Sequence, residues 1–153
     1  FLIVTATVAD SAEETLGHGV ESLIEQLTET GATVIGIRDN LRSATDLFEC
    51  APSQDLNEPF GGCLLERSDH FAPDSLLDPL LDLTNFHYVE VMDLYCDEDV
   101  CPTIAGNVHL YLDTNHVTKS YAGTMLPILL NRIDEALEGQ AAEPAHRSPL
   151  LID

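Results

Sequence analysis

The chain has 153 residues, with 27 Asp and Glu against 6 Lys and Arg, and a formal net charge of −21 at pH 7. That surplus of acid excludes polyanionic partners, nucleic acid and anionic membrane surfaces alike, and a hydrophobic content of 44% excludes a chain disordered over most of its length. No apolar run reaches the ~18 residues needed to cross a bilayer, and the opening FLIVTATVADSAEE lacks the basic segment of a signal peptide.

The acidity itself reads as a solubility adaptation of an exported or salt-tolerant protein, with cation binding as the lesser reading. Because the chain begins inside an apolar run, it is expected to be an excised domain or fragment.

Residues 2–8 form a β-branched apolar run, which predicts a buried parallel strand. Residues 11–30 carry helical periodicity through Leu16, Val20, Leu23, Ile24 and Leu27, with Gly31 as the stop. Ser11-Ala12-Glu13-Glu14 reads as a capping box opening that helix, Ser11 the N-cap and Glu14 at N3. Residues 32–37 (ATVIGI) predict a second buried strand, completing a βαβ unit of parallel strands.

Residues 38–71 are irregular, and so long a loop in a compact domain tends to be functional or stapled. Pro73 suits the first turn of a helix to about Leu83, which Pro79 must kink or shorten. Residues 86–92 predict a third strand and residues 108–112 a short fourth. A last helix spans 118–138, its apolar face made by Tyr121, Met125, Ile128, Leu129, Ile133 and Leu137, with a bend at Pro127. The pattern is that of a three-layer α/β/α domain over residues 1–139, with a loose tail at 140–153.

Four cysteines allow three pairings. Their spacing favours two local disulfides, Cys50 with Cys63 and Cys96 with Cys101, each bracketing turn-rich sequence. Neither pair is Cys-x-x-Cys or has a histidine at ligand spacing, so zinc is not expected, nor any other metal or cofactor. Disulfides imply an oxidising, extracytoplasmic location. The run Asp97-Glu98-Asp99 reads as solvated rather than as a calcium site. His18 and His70 are expected to be exposed, and His87 and His109 to be satisfied structural residues in strands.

The chemistry-bearing stretch is Asp113-Thr114-Asn115-His116, set between the last strand and the last helix. An acid at i and a histidine at i+3 in such a turn can hold the imidazole by Nδ1–H and leave Nε2 free to accept a proton. Its plain alternative is a turn-forming Asp113 beside a surface His116. Arg38-Asp39-Asn40 predicts a turn closing the second strand, with a lesser prospect of lining the site.

Cys101-Pro102, Gly106-Asn107-Val108, Tyr111, Asp113, Asn115-His116, Thr118 and Tyr121-Ala122 together resemble the end of the SGNH hydrolase-like domain of acyltransferase-3 proteins, which are membrane-bound O-acyltransferases that modify cell-surface glycans. VIGIRDN after a βα unit, followed by a long loop with a cysteine pair, is similar as well, so the likeness covers about residues 1–138. The resemblance implies an SGNH/flavodoxin-like fold lacking its first strands here, with Asp113 as orienting acid and His116 as catalytic base. It further implies transfer of an acetyl or other short acyl group on a glycan, and an integral-membrane acyltransferase domain of the same protein as partner.

The family's serine lies in a Gly-Asp-Ser block on the first strand, and this sequence has no Gly-Asp-Ser. Asp10-Ser11 is the nearest substitute, although the capping box claims Ser11 first. The chain alone is therefore expected to be inactive for want of a nucleophile. A non-catalytic extracytoplasmic binding domain with the same fold is the alternative. With the first strands of the sheet missing, the edge at residues 2–8 would need a cover, such as a dimer partner or an exchanged segment.

Overall fold

The computed structural model describes residues 1–10, 13–51 and 65–141. The strands are β1 (Leu2–Thr5), β2 (Thr7–Ala9), β3 (Glu14–Leu16), β4 (Val34–Ile37), β5 (Leu65–Glu66), β6 (Phe86–Tyr88), β7 (Val100–Cys101), β8 (Ile104–Ala105) and β9 (Val108–His109). The helices are α1 (Val20–Glu29), α2 (Leu47–Cys50), α3 (Asp78–Leu81) and α4 (Lys119–Ala141).

β1, β4 and β6 make a parallel three-stranded sheet with β4 in the middle, in the register Ile3↔Ile35 and Ile35↔His87. Successive residues of β4 serve opposite faces, as a pleated strand requires. Val34 packs with Val20 and Ile24 of α1, Leu80 of α3 and Phe86. Ile35 packs instead with Val89, Val91 and with Met125 and Ile133 of α4. Next along β4, Gly36 is dictated by crowding, since a Cβ there would lie 2.4 Å from Phe86 Cζ.

Several sequence expectations need correction. The helix predicted from residue 11 begins only at Val20, after Gly19 in the left-handed region (φ 74°). Glu14, expected at N3 of a capping box, lies in β3, which pairs antiparallel with β2. Leu16 mimicked the helical period from inside a hairpin. Ser11, as cap or as nucleophile, lies outside the described residues. The strand predicted over 2–8 divides at Ala6: β1 stays with the parallel sheet, and β2 leaves for the hairpin. β1 is an edge strand rather than a buried one, with Leu2 44% and Ile3 50% exposed.

The helix expected from Pro73 is a turn of 3₁₀ helix at Asp74–Leu77 followed by α3, the break coming where Pro79 removes a donor. The third strand stops at Tyr88, short of the predicted 92. Residues 108–112 do not add a fourth strand to the sheet: β9 pairs with β8 in a small hairpin, and Tyr111 bridges to Val117. α4 runs through Pro127 to Ala141, but Ile128 is exposed and not part of its packed face. The tail beyond it lies outside the described residues.

Cys96 and Cys101 form a disulfide with S–S 2.02 Å. Both are buried in a cluster with Leu41, Leu47, Phe71, Met92, Leu110 and Tyr111. Cys50 is disulfide-bonded too; its expected partner Cys63 lies outside the described residues. Asp97, in the acidic run, accepts from Asp99 N–H (3.1 Å) and Val100 N–H (2.9 Å) through Oδ1, which accounts for its place in that short loop.

Candidate active site

The turn holding Asp113 and His116 is closed locally by Leu112 N–H donating to His116 C=O at 2.7 Å. Thr118 then opens α4: its Oγ1 accepts from Tyr121 N–H (3.1 Å) and donates to His109 C=O (2.6 Å). Beneath the turn lies the cluster of Leu41, Leu47, Leu110 and Tyr111. The turn therefore rests on the fold's core, although it does not sit at the end of a sheet strand as the sequence pattern suggests.

Asp113 and His116 are brought together. Asp113 Oδ2 is 2.7 Å from His116 Nδ1, and Oδ1 accepts from Asn115 N–H and His116 N–H, both at 2.9 Å. A carboxylate can only accept, so Nδ1 carries the proton in this contact and the neutral ring presents a bare lone pair at Nε2. Nε2 has no hydrogen-bond partner among the described residues, and the His116 side chain is 71% exposed. The backbone N–H groups of Asn115 and His116, and then the imidazole, hold the Asp113 carboxyl down at about 2. It remains an anion throughout the range in which histidine exchanges protons.

The segment after β4 docks against this turn. Asn40 Nδ2 donates to Asn115 C=O, Ser43 N–H to Thr114 C=O at 2.9 Å, and Leu47 N–H to Asp113 C=O at 3.2 Å. Asp39 ties that segment to β2 by accepting from Ala9 N–H at 3.1 Å, while its own N–H donates to Thr7 Oγ1 at 2.9 Å. Of the predicted Arg38-Asp39-Asn40 turn, Asn40 reaches the site and Arg38 does not.

Arg38 is instead the centre of a second charged group that sequence reasoning missed. Its guanidinium donates to Glu14 Oε1 (3.0 Å) and Oε2 (2.5 Å), to Asp74 Oδ1 (2.7 Å) and to Ala72 C=O (2.6 Å). The Glu14 and Arg38 side chains have no exposed surface. Burial lowers the Arg38 pKa, but hydrogen bonding and charge from Glu14 outweigh that and the net shift is upward. These partners lie 24 and 36 residues apart, and no local pattern announces them. An open cleft of about 370 Å³ lies nearby, lined among others by Arg67, Phe71, Pro73, Asp74 and Asp99. Neither Asp113 nor His116 contributes to it.

The other histidines depart from expectation in three cases. His70, expected to be exposed and unpartnered, is half-buried with Nδ1 3.2 Å from Arg42 C=O. Among the described residues His87 Nε2 and His109 Nδ1 are buried without partners, and so is the hydroxyl of Tyr111. The His109 ring lies against Phe48 with centroids 4.7 Å apart. Among the described residues no cluster of His, Cys, Asp and Glu could hold a metal ion, and no helix is long and apolar enough to cross a membrane.

No curated protein and no solved structure matches the chain. A family model does, over residues 3–131, and its description is "SGNH domain (fused to AT3 domains)". The match takes in β1, the Arg38–Asn40 turn, the disulfide of Cys96 and Cys101, and the Asp113–His116 turn, and so this chain belongs to the family of SGNH domains fused to AT3 domains.

Proposed function

We propose that this chain is the extracytoplasmic SGNH domain of an O-acyltransferase, and that it supplies the acid–base half of a Ser-His-Asp relay. The supporting observation is the 2.7 Å contact from Asp113 Oδ2 to His116 Nδ1, made by a side chain whose other nitrogen faces solvent. In the relay, a serine hydroxyl outside this sequence gives its proton to His116 Nε2 as its oxygen attacks an acyl carbonyl. His116 then returns that proton to the departing group, leaving an acyl-enzyme. A glycan hydroxyl takes the acyl group in the second half-reaction, with His116 again as base. Asp113 keeps the imidazole in the Nδ1–H form and stabilises its cation without becoming protonated itself.

The open edge of the sheet suits this division of labour. On α4, Arg132 reaches Glu90 C=O and Asp93 beyond β6, and helical spacing turns Leu126 and Leu130 away from that flank. Both leucines are 51% exposed. With Ile3 and Leu2 they offer an apolar strand a place on which to extend the sheet within an α/β/α sandwich. We place the serine-bearing strand there, in a protein that also carries an integral-membrane acyltransferase domain. The buried disulfide suits an oxidising compartment.

The test is hydrolysis of p-nitrophenyl acetate by the 153-residue chain and by a form extended upstream to include a Gly-Asp-Ser strand. Turnover only in the extended form, lost on replacing either its serine or His116, is the expected result. Serine-dependent turnover by the chain alone would move the nucleophile into this sequence. A folded extended form with no turnover would mark a binding domain instead.

A further inference from the structure

The segment after β4 meets the Asp113–His116 turn in an unusual way. Three successive carbonyls of the turn, those of Asp113, Thr114 and Asn115, each accept a bond from it, from Leu47 N–H, Ser43 N–H and Asn40 Nδ2 in that order. Two of the three donors are backbone groups, which any residue would supply. The third is a side chain, and it takes the carbonyl of the residue next to His116.

Asn40 is itself aimed. Its N–H donates to Asp39 Oδ1 at 3.0 Å, while the other oxygen of that carboxylate accepts from Ala9 N–H at 3.1 Å. Arg42 Nε donates to Ala9 C=O at 3.1 Å, so the segment is tied to β2 on both sides of Asn40. Nδ2 also lies 3.3 Å from Leu41 C=O, which restricts its rotation further.

From this geometry we infer that Asn40 is a positioning residue: it fixes the Asn115–His116 peptide so that the His116 ring is held against Asp113. The Asp113–His116 contact is otherwise exposed, with Asp113 42% and His116 71% open, and solvent competes for both partners. An exposed pair separated by one turn keeps its alignment only if the backbone between its members is immobile. Asn40 supplies that immobility through the Asn115 carbonyl, without a hydrogen bond to the His116 ring. The inference rests on the relay reading only for its catalytic consequence; the geometry it concerns can be read in the chain by itself.

The experiment uses the 153-residue chain labelled with ¹⁵N at its histidines, above the range in which imidazole takes up protons. His116 signals are assigned by their loss in His116→Gln. The wild type should show His116 fixed in the Nδ1–H form. Asn40→Leu, which keeps the shape and removes the donor, and Asn40→Ala should both shift it towards a tautomer mixture. Exchange of the Asn115 and His116 amide protons should accelerate about tenfold in both, as expected for loss of one intramolecular bond. Leu137→Ala, a packing defect at the far end of α4, should leave the His116 tautomer as in the wild type.

Asn40 variants with wild-type tautomer and exchange rates would overturn the inference and leave the relay reading standing. An equal shift in Leu137→Ala would overturn it too, because the effect would then be general loosening. A wild-type His116 already in a free tautomer mixture would sink the relay reading and this inference together.

Discussion

The Glu14–Arg38 pair and the Asp113–His116 pair both bring a carboxylate oxygen within 2.7 Å of a nitrogen, but the first has no exposed side-chain surface while His116 is 71% exposed. Glu14 and Arg38 are joined by Ala72 and Asp74 into a group in which every guanidinium nitrogen donates, so its charges have nowhere to send a proton. Asp113 instead spends its oxygens on two backbone N–H groups and one imidazole, and the imidazole keeps a free side. Similar distances thus serve cohesion in one place and, in the relay proposed above, proton exchange in the other. Burial and the number of remaining partners decide which.

The largest way to sharpen this contrast is through activity. In the extended form, Asp113→Asn should lower turnover by about 10⁴, the scale seen when an orienting carboxylate is lost from a serine relay. Thermal unfolding of the same variant should change far less, since the pair is exposed. Equal damage to both properties would mean that Asp113 only closes the turn.

Next comes the buried group. Arg38→Met leaves Glu14 charged and enclosed, and should cost about 3–5 kcal/mol in chemical denaturation. Adding Glu14→Leu should recover part of that loss, because the stranded charge is gone. A double variant no better than the single would show that the Arg38 bonds to Ala72 and Asp74 carry the stability.

A smaller effect is expected at Tyr111. Burial pushes its phenol pKa up, and its hydroxyl has no partner among the described residues. Tyr111→Phe removes an unsatisfied group at constant shape, and should raise stability by about 1 kcal/mol. Loss of stability there would reveal a partner for the hydroxyl in solution.

The smallest effect is the most diagnostic of how Asp113 is held. Its carboxyl titrates near 2, below the ordinary range, so whatever the contact contributes is fully present above about 4 and fades as pH falls through 2. The backbone N–H groups of Asn115 and His116 are the main cause, so His116→Gln should leave most of the depression in place, as carboxyl NMR can follow. A return to the ordinary value would transfer the credit to the imidazole.

Much of this arrangement was legible in residue order, for reasons that are local. Asp113 and His116 sit one turn apart, so their meeting depends on few torsions, and the spacing predicted it. Cys96 and Cys101 are close in sequence for the same reason. The parallel pairing of residues 2–5 with 34–37 followed from two apolar runs around a helix. What failed was long-range or ambiguous in period. Leu16 fits a helix repeat and a hairpin equally well, and the hairpin won because Glu14 finds Arg38. The supposed fourth strand had the right alternation, yet it closes on β8 across Gly106 (φ 62°) rather than on the sheet. Asn40 was legible only as part of a turn with a lesser prospect of lining the site, since its carboxamide meets a backbone carbonyl 75 residues away.

Among the described residues nothing pairs with the outer edge of β1, and this has a consequence for handling the domain by itself. Strands exposing apolar residues on both sides invite edge-to-edge stacking of identical molecules, and here the chief restraint is mutual repulsion between bodies each carrying −21. Screening shortens the reach of that repulsion from ~10 Å at 0.1 M salt to ~3 Å at 1 M. Self-association should therefore grow with ionic strength, the reverse of an assembly held by charge, and sedimentation across a salt series would display the trend directly.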